Sequence, residues 1–176
     1  MTRQELAKHI AEACLLRGQF TLRSGRTSTY YLDKYLFTTR PELLRPLARL
    51  FADVVRDIAG VDRLAGAELG GIPIVTALGI ETGLPFVFVR NKKKDYGSAK
   101  QLEGKLTAGD RVVFVEDVAT TGGQSVEAVQ TLRDAGAEVL AVIAAIDRQE
   151  GARENIERVS CRFESIFTKT DLGVEE

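Results

Sequence analysis

The residues best suited to chemistry lie in the segment 112–124, which reads VVFVEDVATTGGQ. Residues 112–115 have the pattern of a short buried strand, and the carboxylates Glu116 and Asp117 follow where that strand is expected to end. Two threonines and two glycines occupy 120–123, and a helical pattern follows them. Backbone amides in such a loop bind anions, whereas adjacent carboxylates favour hydroxyls, a cation or a developing positive charge. The segment therefore predicts a site for a ligand with a phosphate and a nearby diol, such as a ribose 5-phosphate.

An ordinary strand-to-helix turn with acidic capping residues would account for the hydroxyls and glycines of 120–123 by themselves. The apolar run, the acidic pair, the hydroxyls and the glycines in this order favour a binding site instead. Two other phosphate motifs do not occur: Gln124 follows the glycines where G-x-x-x-x-G-K-[ST] needs a lysine, and no G-x-G-x-x-G follows a strand. His9 is the single histidine, which excludes His-rich zinc sites and paired-histidine mechanisms. Catalysis must therefore use carboxylates, lysines, arginines, backbone amides or a hard metal ion.

The composition describes a globular chain that is expected to form one domain over residues 1–176. Its 24 basic and 25 acidic residues give a net charge of −1, so no nucleic-acid partner is expected. No apolar run has membrane length and the N-terminus does not resemble a signal peptide, so no membrane contact is expected either. Cys14 and Cys161 match no metal or redox spacing. This favours core positions for both cysteines and a reducing, cytoplasmic location.

The elements that must position the candidate site follow from hydrophobic periodicity. Thr2 and Glu5 form a capping box for a first helix that Gly18 is expected to end, and a hairpin-like pair of short strands flanks the turn at 24–26. Further strands are predicted at 63–67, 86–89, 112–115, 139–146 and 163–167. Helices are predicted from Pro41 to about 58, at 74–81, after 123, and at 152–158.

Alternating strands and helices predict an α/β fold, a parallel sheet flanked by helices on both faces. In such sheets ligands bind at the carboxyl ends of the strands. Four loops should therefore converge there, at 67–71, 90–105, 116–124 and 147–151.

The loop 90–105 is long, basic and punctuated by glycine. A solvated charge patch is the simpler interpretation of such a run. However, this loop follows a strand whose carboxyl end should face the phosphate site, and long loops in compact domains often act as lids. Cations that close over a pyrophosphate leaving group would stabilise its departure and exclude water.

These segments resemble a known family. The segment 112–124 resembles the 5-phosphoribosyl 1-pyrophosphate (PRPP) signature of type I phosphoribosyltransferases. Residues 90–97 resemble the catalytic loop of orotate phosphoribosyltransferases, Arg-Lys-x-x-Lys-x-His/Tyr-Gly, and 20–33 resemble their N-terminal hood, F-x-L-x-S-G-x-x-S-x-x-Y. Residues 66–73 resemble the family's pyrophosphate loop. The resemblance covers nearly the whole chain and implies the type I phosphoribosyltransferase fold, with residues 1–35 forming the N-terminal helix and a small hood over the active site.

The resemblance also assigns roles to residues. It implies catalytic roles for Asp117, Glu116, Lys94 and Arg90. It implies PRPP binding by Arg90, Asn91, Lys94, Tyr96, Glu116, Asp117, Val118, Ala119, Thr120, Thr121, Gly122, Gly123 and Gln124. It implies orotate binding by Thr120, Arg148 and Arg23. A planar guanidinium suits the carboxylate of orotate, although an ion pair with Asp147 or Glu150 is the alternative role for Arg148.

The sequence departs from the family pattern at three positions. Asn91 stands where the family often has lysine, Tyr96 where many members have histidine, and Gly70 where some members have lysine. Any proton transfer by that histidine does not carry over, and backbone amides must do more of the binding beside Gly70.

The implied activity is transfer of a phosphoribosyl group from PRPP to orotate, giving orotidine 5′-monophosphate and pyrophosphate in pyrimidine synthesis. Mg²⁺ is expected as cofactor, held through the substrate with no strong protein ligand. The family resemblance further implies a homodimer in which the loop 90–105 is shared between subunits. A purine phosphoribosyltransferase and a PRPP-sensing regulatory protein are the alternatives.

Overall fold

The computed structural model describes residues 1–21, 27–91 and 101–174, in which strands and helices alternate for most of the chain. The helices are α1 (Arg3–Cys14), α2 (Tyr35–Thr38), α3 (Pro41–Arg56), α4 (Gly71–Thr82), α5 (Gly123–Asp134) and α6 (Ala152–Arg158). The strands are β1 (Leu15–Thr21), β2 (Thr27–Leu32), β3 (Arg63–Ala67), β4 (Phe86–Val89), β5 (Leu102–Glu103), β6 (Arg111–Ala119), β7 (Glu138–Asp147) and β8 (Arg162–Thr168). A 3₁₀ turn at Thr170–Leu172 follows β8.

Six strands form one sheet in the order β5-β4-β3-β6-β7-β8, while β1 and β2 form a separate antiparallel hairpin. The pairs from β4 to β8 are parallel, and β5 alone runs antiparallel to its neighbour β4. The predicted parallel sheet is thus confirmed. The carboxyl ends of β3, β6 and β7 lie side by side, since Gly66 pairs with Val115 and Ala119 pairs with Asp147.

Helices cover both faces of the sheet because the side chains of the central strands alternate between two cores. On one face Val113, Val115 and Ile143 pack with residues of α1, α3 and α4, including Phe51 and Leu78. On the other face the sheet residues Val112, Phe114, Val142 and Ala144 pack with α5 and α6 residues such as Val129, Leu132 and Ile156. Burying both faces of β6 and β7 holds their carboxyl ends rigidly, which a site built there requires.

The first helix begins as predicted, but it ends earlier than Gly18. The Thr2 side chain accepts a hydrogen bond from the Glu5 amide at 3.2 Å, and the Glu5 carboxylate accepts one from the Thr2 amide at 2.7 Å. The helix stops at Cys14, because Leu15 turns into an extended conformation and pairs with Leu32 in the hairpin. The prediction of a helix up to Gly18 was therefore wrong, since pairing with β2 outweighs local helical periodicity.

Other elements also differ from the sequence prediction. Strand β6 does not end before the acidic pair but continues through it to Ala119, because β7 pairs along its whole length. The loop 90–105 contains the short strand β5, which pairs with β4. Helix α2 was not predicted. The turn at 24–26 lies outside the described residues.

Cys14 and Cys161 are both buried and free, so their predicted core positions are confirmed. His9 is exposed on α1. Within residues 1–21, 27–91 and 101–174, no helix combines the length and the apolar character that crossing a membrane requires.

Candidate active site

The acidic pair is buried at the carboxyl end of β6. Glu116 is 8% exposed and Asp117 is 2% exposed, so each carboxylate needs a polar partner. Glu116 Oε2 accepts a hydrogen bond from Ser125 Oγ at 2.9 Å, and Asp117 Oδ2 forms an ion pair with Lys34 Nζ at 2.7 Å. Asp117 Oδ1 also accepts a hydrogen bond from the Val118 amide at 2.6 Å. The two carboxylates thus have separate partners, one from the helix behind the loop and one from the hood.

Burial and the neighbouring carboxylate change the pKa of Glu116. Burial of Glu116, followed by the neighbouring charge of Asp117, raises the pKa of Glu116 to about 8. For Lys34, burial acts to lower the pKa, but the Asp117 carboxylate outweighs it and the net pKa is raised. Lys34 therefore stays charged, whereas Glu116 holds a proton more readily than an ordinary glutamate.

The loop after β6 leads directly into helix α5, which is the strand, loop and helix order predicted from the sequence. Gly122 has a φ of +76°, and a Cβ at this position would lie 3.1 Å from the Ala152 carbonyl oxygen, so the turn favours glycine. Asn155 Nδ2 donates to the Thr121 carbonyl at 2.8 Å, which ties the loop to α6. Helix α5 begins at Gly123, and the first backbone amides of a helix have no carbonyl partner within it. A pocket here is lined by Glu116 and by residues 118–125.

Arg148 lies beside this pocket, directly after β7. Its backbone amide donates to the Ala119 carbonyl at 2.9 Å, and the residue as a whole is 7% exposed. Nε donates to Tyr30 Oη at 3.1 Å, and it forms an ion pair with Glu150, whose Oε1 lies 3.0 Å away. The guanidinium carbon also lies 4.7 Å from the centre of the Tyr30 ring. The ion pair with Glu150 is therefore present, and it is made through Nε. The two terminal nitrogens of the guanidinium have no hydrogen bond to any described residue.

The start of the loop 90–105 is joined to the loop 67–71. The Asn91 amide donates to Glu68 Oε1 at 2.7 Å, and Asn91 Nδ2 donates to the Glu68 carbonyl at 3.2 Å. Arg90 lies 3.7 Å from Glu103, and its buried Nε has no hydrogen-bond partner among the described residues. Gly70 abuts the acidic pair, because a Cβ there would lie 1.5 Å from Asp117 Oδ2. All four predicted loops therefore contribute described residues to one edge of the sheet.

Three predicted site residues, Arg23, Lys94 and Tyr96, lie outside the described residues. The remaining predicted residues are brought together: Arg90, Asn91, Arg148 and the acidic pair with the loop 118–124.

Sequence reasoning missed Lys34, Tyr30 and Ser125. Buried carboxylates need partners, and this rule could have directed attention to Ser125, just after the signature, and to Lys34, just after the hood segment 20–33. Within the described part of the chain, no three His, Cys, Asp or Glu side chains cluster in a way that could hold a metal ion.

Comparison with known proteins agrees with this geometry. Residues 37–174 match the family model of the phosphoribosyl transferase domain. The chain is 47% identical over 173 residues to the orotate phosphoribosyltransferase of Natronomonas pharaonis, with 98% of each chain covered. It is 42% identical over 164 residues to that of Pyrococcus horikoshii, with 93% of this chain and 88% of the relative covered. The crystal structure of Mycobacterium tuberculosis orotate phosphoribosyltransferase in complex with PRPP is similar, with a TM-score of 0.83, 33% identity and coverage of 98% and 99%.

Proposed function

This chain belongs to the phosphoribosyl transferase family, and we propose that it transfers the phosphoribosyl group of PRPP to orotate, giving orotidine 5′-monophosphate and pyrophosphate. The relatives from Natronomonas pharaonis and Pyrococcus horikoshii, which match most of its length, are named orotate phosphoribosyltransferases. The observation that carries the proposal is the buried acidic pair beside the loop 120–123, with Arg148 hydrogen-bonded through its amide to Ala119 at the start of that loop. This arrangement offers an anion site, a diol site and a carboxylate-binding cation at one edge of the sheet.

In the proposed reaction the 5-phosphate of PRPP binds to the amides of the loop 120–124 and the first turn of α5. Glu116 and Asp117 accept hydrogen bonds from the ribose 2- and 3-hydroxyls. The bond from C1 to the pyrophosphate oxygen breaks, and pyrophosphate leaves with the electron pair. The ribose gains oxocarbenium character, which the nearby carboxylates stabilise. The ring nitrogen N1 of orotate, once it has lost its proton to solvent, forms the new bond to C1, so no protein base has to remove a proton as the bond forms.

Arg148 is the proposed orotate ligand. Tyr30 and Glu150 hold its Nε edge at 3.1 and 3.0 Å, which fixes the plane of the guanidinium. The terminal nitrogens can then donate two parallel hydrogen bonds to the orotate carboxylate. Thr120 and Arg23 complete the proposed base site. Uracil has no carboxylate, so this contact favours orotate over uracil.

Mg²⁺ is the proposed cofactor, and the acidic pair fits a weakly held ion rather than a protein cage. The oxygens of Glu116 and Asp117 suit a hard cation, but the described residues offer no third acidic ligand beside them. The ion would therefore reach the site mainly through PRPP oxygens. When bound, it would neutralise part of the pyrophosphate charge. Arg90 and Lys94 are the protein cations proposed to neutralise the remaining charge, with Asn91 and Tyr96 as further PRPP contacts.

We also propose a homodimer in which the loop 90–105 of one subunit completes the site of the other. Tyr35, Leu36, Leu69 and Ile80 are exposed apolar side chains that association could cover. Mixing inactive Lys94→Ala and Asp117→Asn proteins tests the arrangement. With subunit exchange, about half of the dimers are mixed, and about a quarter of all sites then carry neither lesion. A lysine that acts within its own chain would give no recovery of activity.

We place this single domain, residues 1–176 with its hood at 1–35, in the cytoplasm, where free cysteines such as Cys14 and Cys161 stay reduced.

The reaction is tested by pyrophosphate release with PRPP and a single base at a time: orotate, adenine, hypoxanthine or uracil. The proposal predicts release with orotate and little with the others. Release with adenine or hypoxanthine instead would identify a purine enzyme. PRPP binding without release for any of these bases would favour a regulatory protein.

A further inference from the structure

Lys34 connects the hood to the acidic pair. It follows β2 closely, at the start of the short helix α2, and its Nζ lies 2.7 Å from Asp117 Oδ2. The Lys34 side chain is 32% exposed, whereas that of Asp117 is 3% exposed. The ammonium group therefore has a buried carboxylate on one side and access to solvent on the other.

The loop 67–71 approaches the same carboxylate. A Cβ on Gly70 would lie 1.5 Å from Asp117 Oδ2 and 2.6 Å from its Cγ, so the carboxylate occupies the space that a side chain at position 70 would need. Because Lys34 pairs with this same oxygen, its ammonium group lies beside the loop. The segment 67–71, AELGG, contains no basic residue, and its single charged side chain is that of Glu68. An anion at this loop must therefore obtain a protein cation from another element.

We propose that Lys34 binds the pyrophosphate group of PRPP, an inference that rests on the proposed function. In the free protein the ammonium is held by Asp117. When the ribose hydroxyls of PRPP engage Asp117, the ammonium turns to the adjacent pyrophosphate oxygens. Lysine suits both positions, since its flexible stem and three donors can serve two anions in turn. Lys34 gives up no proton, and it stabilises the charge that pyrophosphate gains as its bond to C1 breaks.

The first test compares the binding of inorganic pyrophosphate, with Mg²⁺, to the purified full-length variants by titration calorimetry. Lys34→Met keeps the aliphatic stem but removes the charge. A lost charged contact is expected to weaken pyrophosphate binding by about 10- to 100-fold. The Michaelis constant for PRPP should rise with it, whereas that for orotate should stay within about threefold. Lys34→Arg should retain most of the affinity. Lys8→Ala removes an exposed lysine that pairs with Glu12 on α1, and it should change neither quantity.

The second test separates direct binding from an effect through Asp117. Lys34→Met is added to an Asp117→Asn protein, which removes both charges of the pair and leaves neither buried alone. Direct binding predicts that Lys34→Met weakens pyrophosphate binding in this background by a similar factor. If the loss disappears in the Asp117→Asn background, or if Lys34→Met has no effect in either background, the proposal is wrong.

The pyrophosphate titrations need no turnover, so a failure of the Lys34 proposal can be told apart from a failure of the proposed function. A wild-type protein that forms no orotidine 5′-monophosphate from PRPP and orotate would contradict the function. Unchanged pyrophosphate affinity in folded Lys34→Met, with wild-type turnover intact, would contradict only the role of Lys34. Thermal unfolding of each variant confirms that the compared proteins are folded.

Discussion

Replacing Arg148 by lysine tests how the site recognises its base. The arginine contributes three separate features: the Nε hydrogen bond to Tyr30 Oη at 3.1 Å, the ion pair with Glu150 at 3.0 Å, and a position 4.7 Å from the Tyr30 ring. A lysine keeps the positive charge but has a single ammonium group. It cannot hold Tyr30 and Glu150 and also donate two parallel hydrogen bonds to a ligand carboxylate.

The expected loss follows from these contacts. The ammonium of Arg148→Lys would either stay with Glu150 or turn to the ligand, so about one charged hydrogen bond to orotate is lost. Such a bond contributes about 1.5–3 kcal/mol, which corresponds to about 10- to 150-fold in kcat/KM for orotate. PRPP binds to the loop 120–124 and the acidic pair, so its Michaelis constant should change by less than about threefold.

The assay measures initial rates with orotate varied at saturating PRPP, and then with PRPP varied at saturating orotate. Arg153→Lys is a matched control, because Arg153 also pairs with a glutamate, Glu157 at 3.0 Å, and lies 5.3 Å from an aromatic ring, that of Phe163. This control should leave both constants unchanged. Equal increases in both Michaelis constants for Arg148→Lys, or no increase in either, would refute the role of Arg148 in base recognition.

Three further predictions concern the acidic pair and its loop. Asp117→Asn should keep the fold and lower kcat by about 10²–10³, since a transition-state contact is lost; near-normal turnover in a folded variant would contradict this. Because burial raises the pKa of Glu116 to about 8, its protonated form stabilises the fold at acidic pH, and this contribution is lost as the pH rises through that value. The melting temperature of wild type relative to Glu116→Gln should therefore fall between about pH 4.5 and 8, and a difference independent of pH would contradict the raised pKa. Gly122→Ala should lower the free energy of unfolding by about 1–2 kcal/mol, because φ is +76° there. Gly123→Ala should be close to neutral in the same denaturant titration, since its Cβ would lie 3.8 Å from its nearest neighbour, Thr121 Oγ1.

The fold and the positions of the acidic pair and its loop could be predicted because their signals are local. The segment 112–124 contains a strand, an acidic pair, a loop and a helix start in one continuous run, so short-range patterns were sufficient. Alternating strands and helices predicted the parallel sheet, and the rule that ligands bind at carboxyl ends placed the four loops at one edge.

The partners of the acidic pair and of Arg148 depend on contacts between distant segments. Lys34 and Asp117 are brought together only when the hood packs over the sheet edge, and the same packing places Tyr30 against Arg148. The hydrophobic periodicity of a segment predicts its helix or strand, but it does not predict which distant side chain will contact it. Strand β6 was predicted too short for the same reason, since its last residues are extended by pairing with β7 rather than by an apolar pattern.

The central claim is tested most directly by a competition experiment in one vessel. The purified protein is incubated with Mg²⁺, PRPP and equal concentrations of orotate, adenine, hypoxanthine and uracil, and the nucleotides formed are identified by mass spectrometry. Asp117→Asn protein is run in parallel, because a contaminating enzyme would form the same amount of nucleotide in both preparations. We predict that wild-type protein forms orotidine 5′-monophosphate together with an equal amount of pyrophosphate, and that the variant forms very little. Formation of a purine nucleotide as the main product, or of no nucleotide at all, would contradict the account.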